Sequence, residues 1–164
     1  MESLKAKEKW AQLMEAERNA KDLRGELFRC GFEDVLALVR EGIRTPNPDR
    51  EFAFRLTQLL PVEQLQKLLP DLVQLACEPS YVPTIEQARQ AILALPRRWT
   101  IEHIVTAAEP LLLSSDDWVY RRLLELYALL DRELTLKFAR RAAEHEHPEI
   151  REAGTEFLND PSAP

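Results

Sequence analysis

The residues best suited to metal or acid–base chemistry are three histidines, His103, His145 and His147. A transition-metal site needs several ligands that converge from separate elements, and only His145 is followed directly by a second candidate ligand, Glu146. His147 precedes Pro148, and this pair is better explained as a helix start, because the missing N–H of proline costs nothing at the first helical position. We therefore predict no metal site and no cofactor.

Nucleophilic catalysis has equally little support. The two cysteines, Cys30 and Cys77, lack the paired spacing of a zinc site and are too few for a disulfide framework. No serine or cysteine has a histidine partner nearby in sequence, and the carboxylates lie on strongly polar stretches. Cys77 is expected in the core as a small apolar residue. We predict that the chain is not an enzyme.

The charge balance bears on possible partners. Lys and Arg total 22 against 28 Asp and Glu, which gives a formal net charge of -6. Phosphate backbones and anionic membranes repel such a chain unless its cations gather on one face. The first residues lack the apolar core of a signal peptide, and no apolar run reaches transmembrane length. We expect a cytoplasmic protein without membrane or nucleic-acid binding, whose oligomeric state stays open.

The elements that must position these residues are predicted to be helices. Only four glycines occur, and none lies between residues 43 and 153, where alternating β-branched clusters are also rare. Residues 2–24 form the pattern of a helix with one narrow apolar stripe that includes Trp10. A second helix ends near Glu41, with Gly42 as its predicted C-cap. Residues 45–48 are the best linker candidate.

Several helix starts are predicted from local signals. Proline is expected at the first helical position at three sites, and Thr84 with Gln87 has the spacing of a capping box. The predicted first-position prolines are Pro48, Pro61 and Pro148. Further caps are expected at Thr100, at Ser114 or Ser115, and at Asp131. These boundaries recur at the spacing of helical hairpins.

The chain repeats itself at a shift of 35 residues. The segments RLTQLLP, AILALPR and ELYALLD then align, so that Leu60, Leu95 and Leu130 are equivalent. Each aligned helix carries an early arginine, and a final half-unit offers another. These arginines are Arg55, Arg89, Arg121 and Arg151. A constant period in this range indicates a solenoid.

From Pro48 to Asn159 the units resemble HEAT repeats, most clearly in the stretch DDWVYRRLLELYALLDRELTLKFARRAAEHEHPEIREAGTEFL. The resemblance implies three antiparallel hairpins and a terminal half-repeat. The predicted fold is thus all-α, a short α-solenoid of HEAT-like hairpins with an N-terminal helical cap. Residues 1–44 form the cap or a docking arm, 45–160 the repeats, and 161–164 a disordered tail. Capping is favoured, and it would bury Trp10.

The resemblance also implies which residues face the core and which face a partner. The predicted inward residues of the second helices are Val62, Leu65, Leu69, Leu72 and Ala76, then Ile101, Ile104, Val105, Ala108 and Leu112, then Leu134, Phe138 and Ala142, with Leu136 and Ala139 as further candidates. The remaining polar positions form a concave ridge that we predict to bind a partner. The predicted partner-binding residues on this ridge are Lys67, Asp71, Glu102, His103, Glu109, Lys137, Arg140 and Arg141.

Four aromatic residues, Trp99, Trp118, Tyr120 and Tyr127, are expected at one junction between repeats. Their simplest interpretation is core packing. Alternatively, Trp118 or Tyr120 is an exposed anchor, since aromatics dominate binding hot spots. Trp118 therefore joins the predicted partner-binding residues.

The predicted function is a non-enzymatic protein-binding module, an adaptor or scaffold that presents a curved helical surface. One alternative is a nucleic-acid-binding or repair-related protein, because arginines such as Arg97, Arg98 and Arg122 crowd the C-terminal half, although acids are interleaved throughout. Another is an immunity or inhibitor protein, in which an acidic surface blocks the basic cleft of an enzyme.

Overall fold

The computed structural model is all-helical over the residues that it describes, which are 2–46, 48–78, 82–114 and 116–159. Ten α-helices and one 3₁₀ helix make up this part of the chain, and it contains no strand. The helices are α1 (Glu2–Arg29), α2 (Phe32–Arg44), α3 (Asp49–Thr57), α4 (Val62–Gln66), α5 (Leu69–Ala76), α6 (Val82–Leu93), α7 (Arg97–Ala108), the 3₁₀ helix Glu109–Ser114, α8 (Asp117–Leu130), α9 (Arg132–Ala143) and α10 (Pro148–Asn159). The all-α prediction is confirmed.

Two predicted helix starts in the C-terminal half are confirmed. The Asp131 carboxylate accepts a hydrogen bond from the Leu134 N–H at 2.9 Å and so caps α9. Pro148 is the first residue of α10. The cap of α8 is Asp116, which accepts from the Trp118 N–H, rather than Ser114, which ends the 3₁₀ helix.

Other local predictions are wrong. Thr84 and Thr100 lie inside α6 and α7 instead of capping them, and the Thr100 hydroxyl donates to a backbone carbonyl four residues earlier. Pro48 and Pro61 are N-cap residues, one position before the first helical residue. Gly42 lies within α2 and does not end it.

The second helix of the first predicted unit is broken in two. The expected continuous stretch from Val62 to Ala76 consists of α4 and α5, which are separated at Lys67 and Leu68. Pro70 occupies the first turn of α5, where its missing N–H needs no helical partner. The proline therefore explains why a new helix begins here.

A single hydrophobic cluster runs from α2 to α10. It includes Val35 and Ile43 from α2, which are fully buried, and Ile150 from α10. Most of the predicted inward residues belong to it or pack against it. Val62 and Val105 do not, because they are 42% and 39% exposed, and their predicted burial is wrong.

Helices pack mainly on their neighbours along the chain. α2 contacts α3, α5 contacts α6 and α7, and α8 contacts α9 and α10. Buried glycine allows the closest of these approaches, since a Cβ on Gly154 of α10 would lie 2.4 Å from the Ala143 nitrogen of α9. Packing of each helix on its neighbours in sequence is typical of stacked repeats. The solenoid arrangement itself stays a prediction.

The helix α1 is packed only at its C-terminal end. Leu27 and Phe28 lie against the core, whereas every residue from 5 to 19 is exposed. Trp10 is 65% exposed, so its predicted burial is wrong. The reason is geometric, because no other helix in the described part of the chain extends far enough to cover the first half of α1.

No helix in the described part of the chain is both long enough and apolar enough to cross a membrane. The cap candidate Ser115, the stiff turn expected at Tyr81 and the tail 161–164 lie outside the described residues.

Candidate functional site

The first part of the predicted ridge is covered by α2. The Asp71 side chain is only 7% exposed, and its carboxylate accepts a 3.0 Å hydrogen bond from Arg40 Nε and further bonds from Arg44. Lys67 Nζ lies 2.5 Å from Glu33 Oε1. Asp71 is therefore engaged in an intramolecular contact between α2 and α5, although it also lines a surface cleft with Arg44 and Glu78, and its role in partner binding stays a prediction.

The Lys67 contact also has an electrostatic consequence. Hydrogen bonds from Lys67 and Gln64 lower the pKa of Glu33, so this carboxylate is ionised at neutral pH. Both partners are well exposed, with 47% and 72% of their side-chain surfaces accessible. A surface pair of this kind contributes little stability, and a binding partner could still displace it.

The middle of the ridge is occupied by residues of α7. Glu102 Oε1 accepts from Arg98 Nε at 3.1 Å, which is a pair one turn apart on the same helix. His103 donates from Nδ1 to the Trp99 carbonyl at 2.7 Å, and the two rings stack with centroids 4.3 Å apart. The structure thus leaves both Glu102 and His103 exposed but satisfied within α7.

The last part of the ridge joins two predicted units. Arg141 of α9 donates to both carboxylate oxygens of Glu109, at 2.6 and 3.3 Å. These hydrogen bonds lower the pKa of Glu109 and raise the pKa of Arg141. The structure therefore brings together two predicted ridge residues that are separated by 32 positions in sequence.

Two ridge residues carry free positive charge. Lys137 and Arg140 of α9 are exposed, and neither forms an ion pair with any residue that the structure describes. They line a shallow cleft of about 470 Å³ with Leu136, which is partly exposed. The cleft also contains Asp131, Arg132 and Glu133. This surface therefore combines two cations that have no ion-pair partner within the described chain with one partly exposed leucine, and three cations outnumber two carboxylates in the cleft.

The aromatic residues are arranged differently from the prediction. Tyr120 and Tyr127 are buried and pack on Phe138, with ring centroids 5.5 and 5.2 Å apart. Trp118 is outside this cluster: it is 50% exposed and lies under the Arg122 guanidinium, 5.8 Å from the ring centre. Tyr120 is therefore a core residue, whereas Trp118 is accessible to a partner.

Ion pairs between predicted units were missed at the sequence level. The Glu125 carboxylate accepts from Arg89 of α6 at 2.6 Å and from Arg122 of α8 at 2.9 Å. Burial alone would raise the pKa of Glu125, but these two hydrogen bonds outweigh it and lower the pKa. Arg121 pairs likewise with Glu156, 35 residues later. The sequence signal for these ion pairs was an arginine and a glutamate separated by about the length of one repeat.

His145, His147 and Cys77 are each in contact with other residues of the fold. His145 packs edge-on against Tyr120, and His147 Nδ1 lies 3.2 Å from Glu149 Oε2. Among the described residues, no three His, Cys, Asp or Glu side chains are grouped in a way that could hold a metal ion. Cys77 is buried, and this burial raises the pKa of its thiol to about 12. A thiol with that pKa is protonated at neutral pH and is a poor nucleophile.

The described residues thus form an all-α protein with one continuous core and a cleft on α9 that is lined by the exposed cations Lys137 and Arg140. No protein-family model matches the chain, and searches of curated proteins and of solved structures likewise found no match.

Proposed function

We propose that this chain is a non-enzymatic protein-binding module whose stacked, HEAT-like helices hold a binding surface on α9. The observation that carries the proposal is the exposed pair Lys137 and Arg140, which has no ion-pairing partner among the described residues and flanks Leu136. The other ridge residues with charge are neutralised by contacts within the chain, as Arg141 is by Glu109.

The chemistry of this surface favours an acidic segment of a partner protein that also carries an apolar side chain. The two cations lie on one side of α9, three residues apart, and would attract carboxylates. Leu136 would supply apolar contact. Trp118 is accessible, but it lies on the side of α8 opposite Tyr120, which packs on α9, so it is a separate candidate contact. The half-buried ion pairs between helices support a rigid surface, which loses little conformational freedom on binding.

Site-specific photo-crosslinking tests this proposal. A photoreactive amino acid in place of Lys137 is expected to trap a protein partner in cells. The same group in place of Arg98, whose side chain is 94% exposed, is the control. The same product from both positions, or no product from position 137, would contradict a binding surface on α9.

Charge reversal provides the quantitative test. Lys137→Glu with Arg140→Glu is expected to weaken binding of the trapped partner at least about tenfold, because two attractions become repulsions. Lys5→Glu with Arg18→Glu is the matched control, since it reverses two exposed charges on α1 that form no ion pair with any residue that the structure describes. Arg141 is unsuitable for this test, because its substitution would also break the pair with Glu109.

A further inference from the structure

The first half of α1 presents an apolar face that no other part of the described structure covers. Trp10, Leu13 and Met14 are 65%, 54% and 43% exposed. Their spacing of three and four residues places them on one side of the helix, and the same side continues through Glu17 to Phe28. We call residues 5–19 the arm.

The same side of α1 forms a groove with α3 further along. The open groove has a volume of about 790 Å³ and a mixed lining, whose exposed apolar residues are Phe52 of α3 and Leu59, two residues after the end of α3, at 43% and 53% exposed. Its other apolar lining residues are Ala20, Phe28 and Leu56. The arm and the groove therefore lie on one side of α1, with apolar residues towards both ends and Glu17, Lys21 and Arg24 between them, and α3 covers only part of this side.

We propose that a second copy of this chain covers this face, so that two α1 helices pair antiparallel and the arm of each copy lies in the groove of the other. This inference is independent of the partner proposed for α9. An antiparallel pair related by a two-fold axis uses the same surface on both copies, so it buries both arms and both grooves at once.

The charges on this face favour the antiparallel orientation. Glu17 lines the groove together with Lys21, Arg24 and Arg55. Parallel helices would place Glu17 against Glu17 and Lys21 against Lys21, which is repulsive. With the two-fold axis near residue 19, antiparallel helices instead place Glu17 opposite Lys21 of the second copy, and they do so twice.

Gly25 of α1 would allow a helix of the second copy to approach the groove closely. It lies within α1 and lines the groove, yet a Cβ at this position would meet no atom within 4 Å. Packing within one chain therefore does not require glycine, which costs about 0.5–1 kcal/mol relative to alanine inside a helix. A neighbouring helix that approaches closely would explain it.

The size of the face suggests a weak dimer. The 28 residues of α1 span roughly 42 Å, and the arm accounts for about half of this length. An interface of these dimensions lies near the lower end of specific complexes, about 1,200 Å² in total. We expect a dissociation constant on the order of micromolar.

Sedimentation equilibrium of the full chain from about 1 to 500 μM tests the dimer. The average mass is expected to rise from 19.0 kDa towards twice that value. Leu13→Lys and Trp10→Lys should each raise the dissociation constant at least tenfold. Leu129→Lys is the matched control, because Leu129 of α8 is exposed to the same extent, 54%, and its substitution should have no effect. A monomer across the whole range, or equal effects of Leu13→Lys and Leu129→Lys, would overturn the proposal.

Crosslinking with a short bismaleimide tests the orientation. In a Cys30→Ser background, the remaining Cys77 is buried and unreactive. Glu17→Cys is expected to crosslink two copies efficiently. Lys7→Cys is not, because antiparallel pairing places the two cysteines roughly 30 Å apart along the helix axis. Efficient crosslinking at both positions would indicate parallel helices and would refute this arrangement.

Discussion

Replacing Gly154 by alanine should destabilise the protein, because α9 and α10 cross at this residue without room for a side chain. A Cβ there would lie 2.4 Å from the Ala143 nitrogen, 2.7 Å from the Ala139 oxygen and 2.8 Å from the Ala142 carbonyl carbon. All three are backbone atoms of α9, so a rotamer change cannot relieve the clash. The two helices would have to separate.

The expected magnitude follows from two opposing effects. Overpacking a core contact costs about 1–3 kcal/mol, whereas alanine is favoured over glycine within a helix by up to about 1 kcal/mol. The net loss in the free energy of unfolding should be about 1–2 kcal/mol. This corresponds to a fall in Tm of roughly 2–8 °C for a chain of this size.

Gly25→Ala is the matched control, since it makes the same chemical change inside another helix where a Cβ meets nothing within 4 Å. It should leave the unfolding free energy unchanged or raise it by up to about 1 kcal/mol. Urea denaturation, at protein concentrations low enough to keep the chain monomeric, measures both. If Gly154→Ala proved as stable as the wild type, α9 and α10 would not cross as closely as described here.

Three further changes probe other contacts. Gly42→Ala should destabilise the fold, because the new Cβ would lie 2.7 Å from the Ala53 Cβ; adding Ala53→Gly should relieve that clash in thermal melts, and no relief would argue against this contact. Asp71→Asn should cost about 1–2 kcal/mol in urea denaturation, a moderate loss because both arginines that bind it are partly exposed; an unchanged midpoint would contradict the buried contact. Glu125→Gln should reduce the free energy of unfolding most near neutral pH. The folded state lowers the pKa of Glu125 from 4.5, so the ionised carboxylate stabilises the fold fully above about pH 4.5, and this stabilisation is lost as the pH falls through the lowered pKa. A difference in unfolding free energy between Glu125→Gln and the wild type that does not shrink in acid would refute this ion pair.

Features set by neighbouring residues were predictable from the sequence. Asp131 caps α9 and Pro148 begins α10 as expected, because a cap or a first-turn proline depends only on the next few residues. The same reasoning failed at Thr84, where α6 begins two residues earlier at Val82. Pro70 was a local signal for the break between α4 and α5, but this break was not predicted.

Features set by distant residues were not predictable in this way. The spacing of Lys67 and Asp71 placed both on the polar side of their helices, but nothing in that spacing showed that Arg40 of α2 would cover Asp71. Burial of Trp10 was likewise expected on the assumption that α1 caps the end of the predicted stack, and the apolar stripe does not show whether another helix reaches Trp10. The neighbours of a face are decided by packing between elements, and a periodic pattern does not specify them.

The most direct test of the central claim is the affinity of the protein trapped at position 137 for three forms of the chain, measured by calorimetry at two salt concentrations. Binding through α9 predicts that Lys137→Glu with Arg140→Glu weakens the affinity at least about tenfold, that Lys5→Glu with Arg18→Glu leaves it unchanged, and that salt weakens wild-type binding. Equal affinities for all three forms would contradict a binding surface built on Lys137 and Arg140.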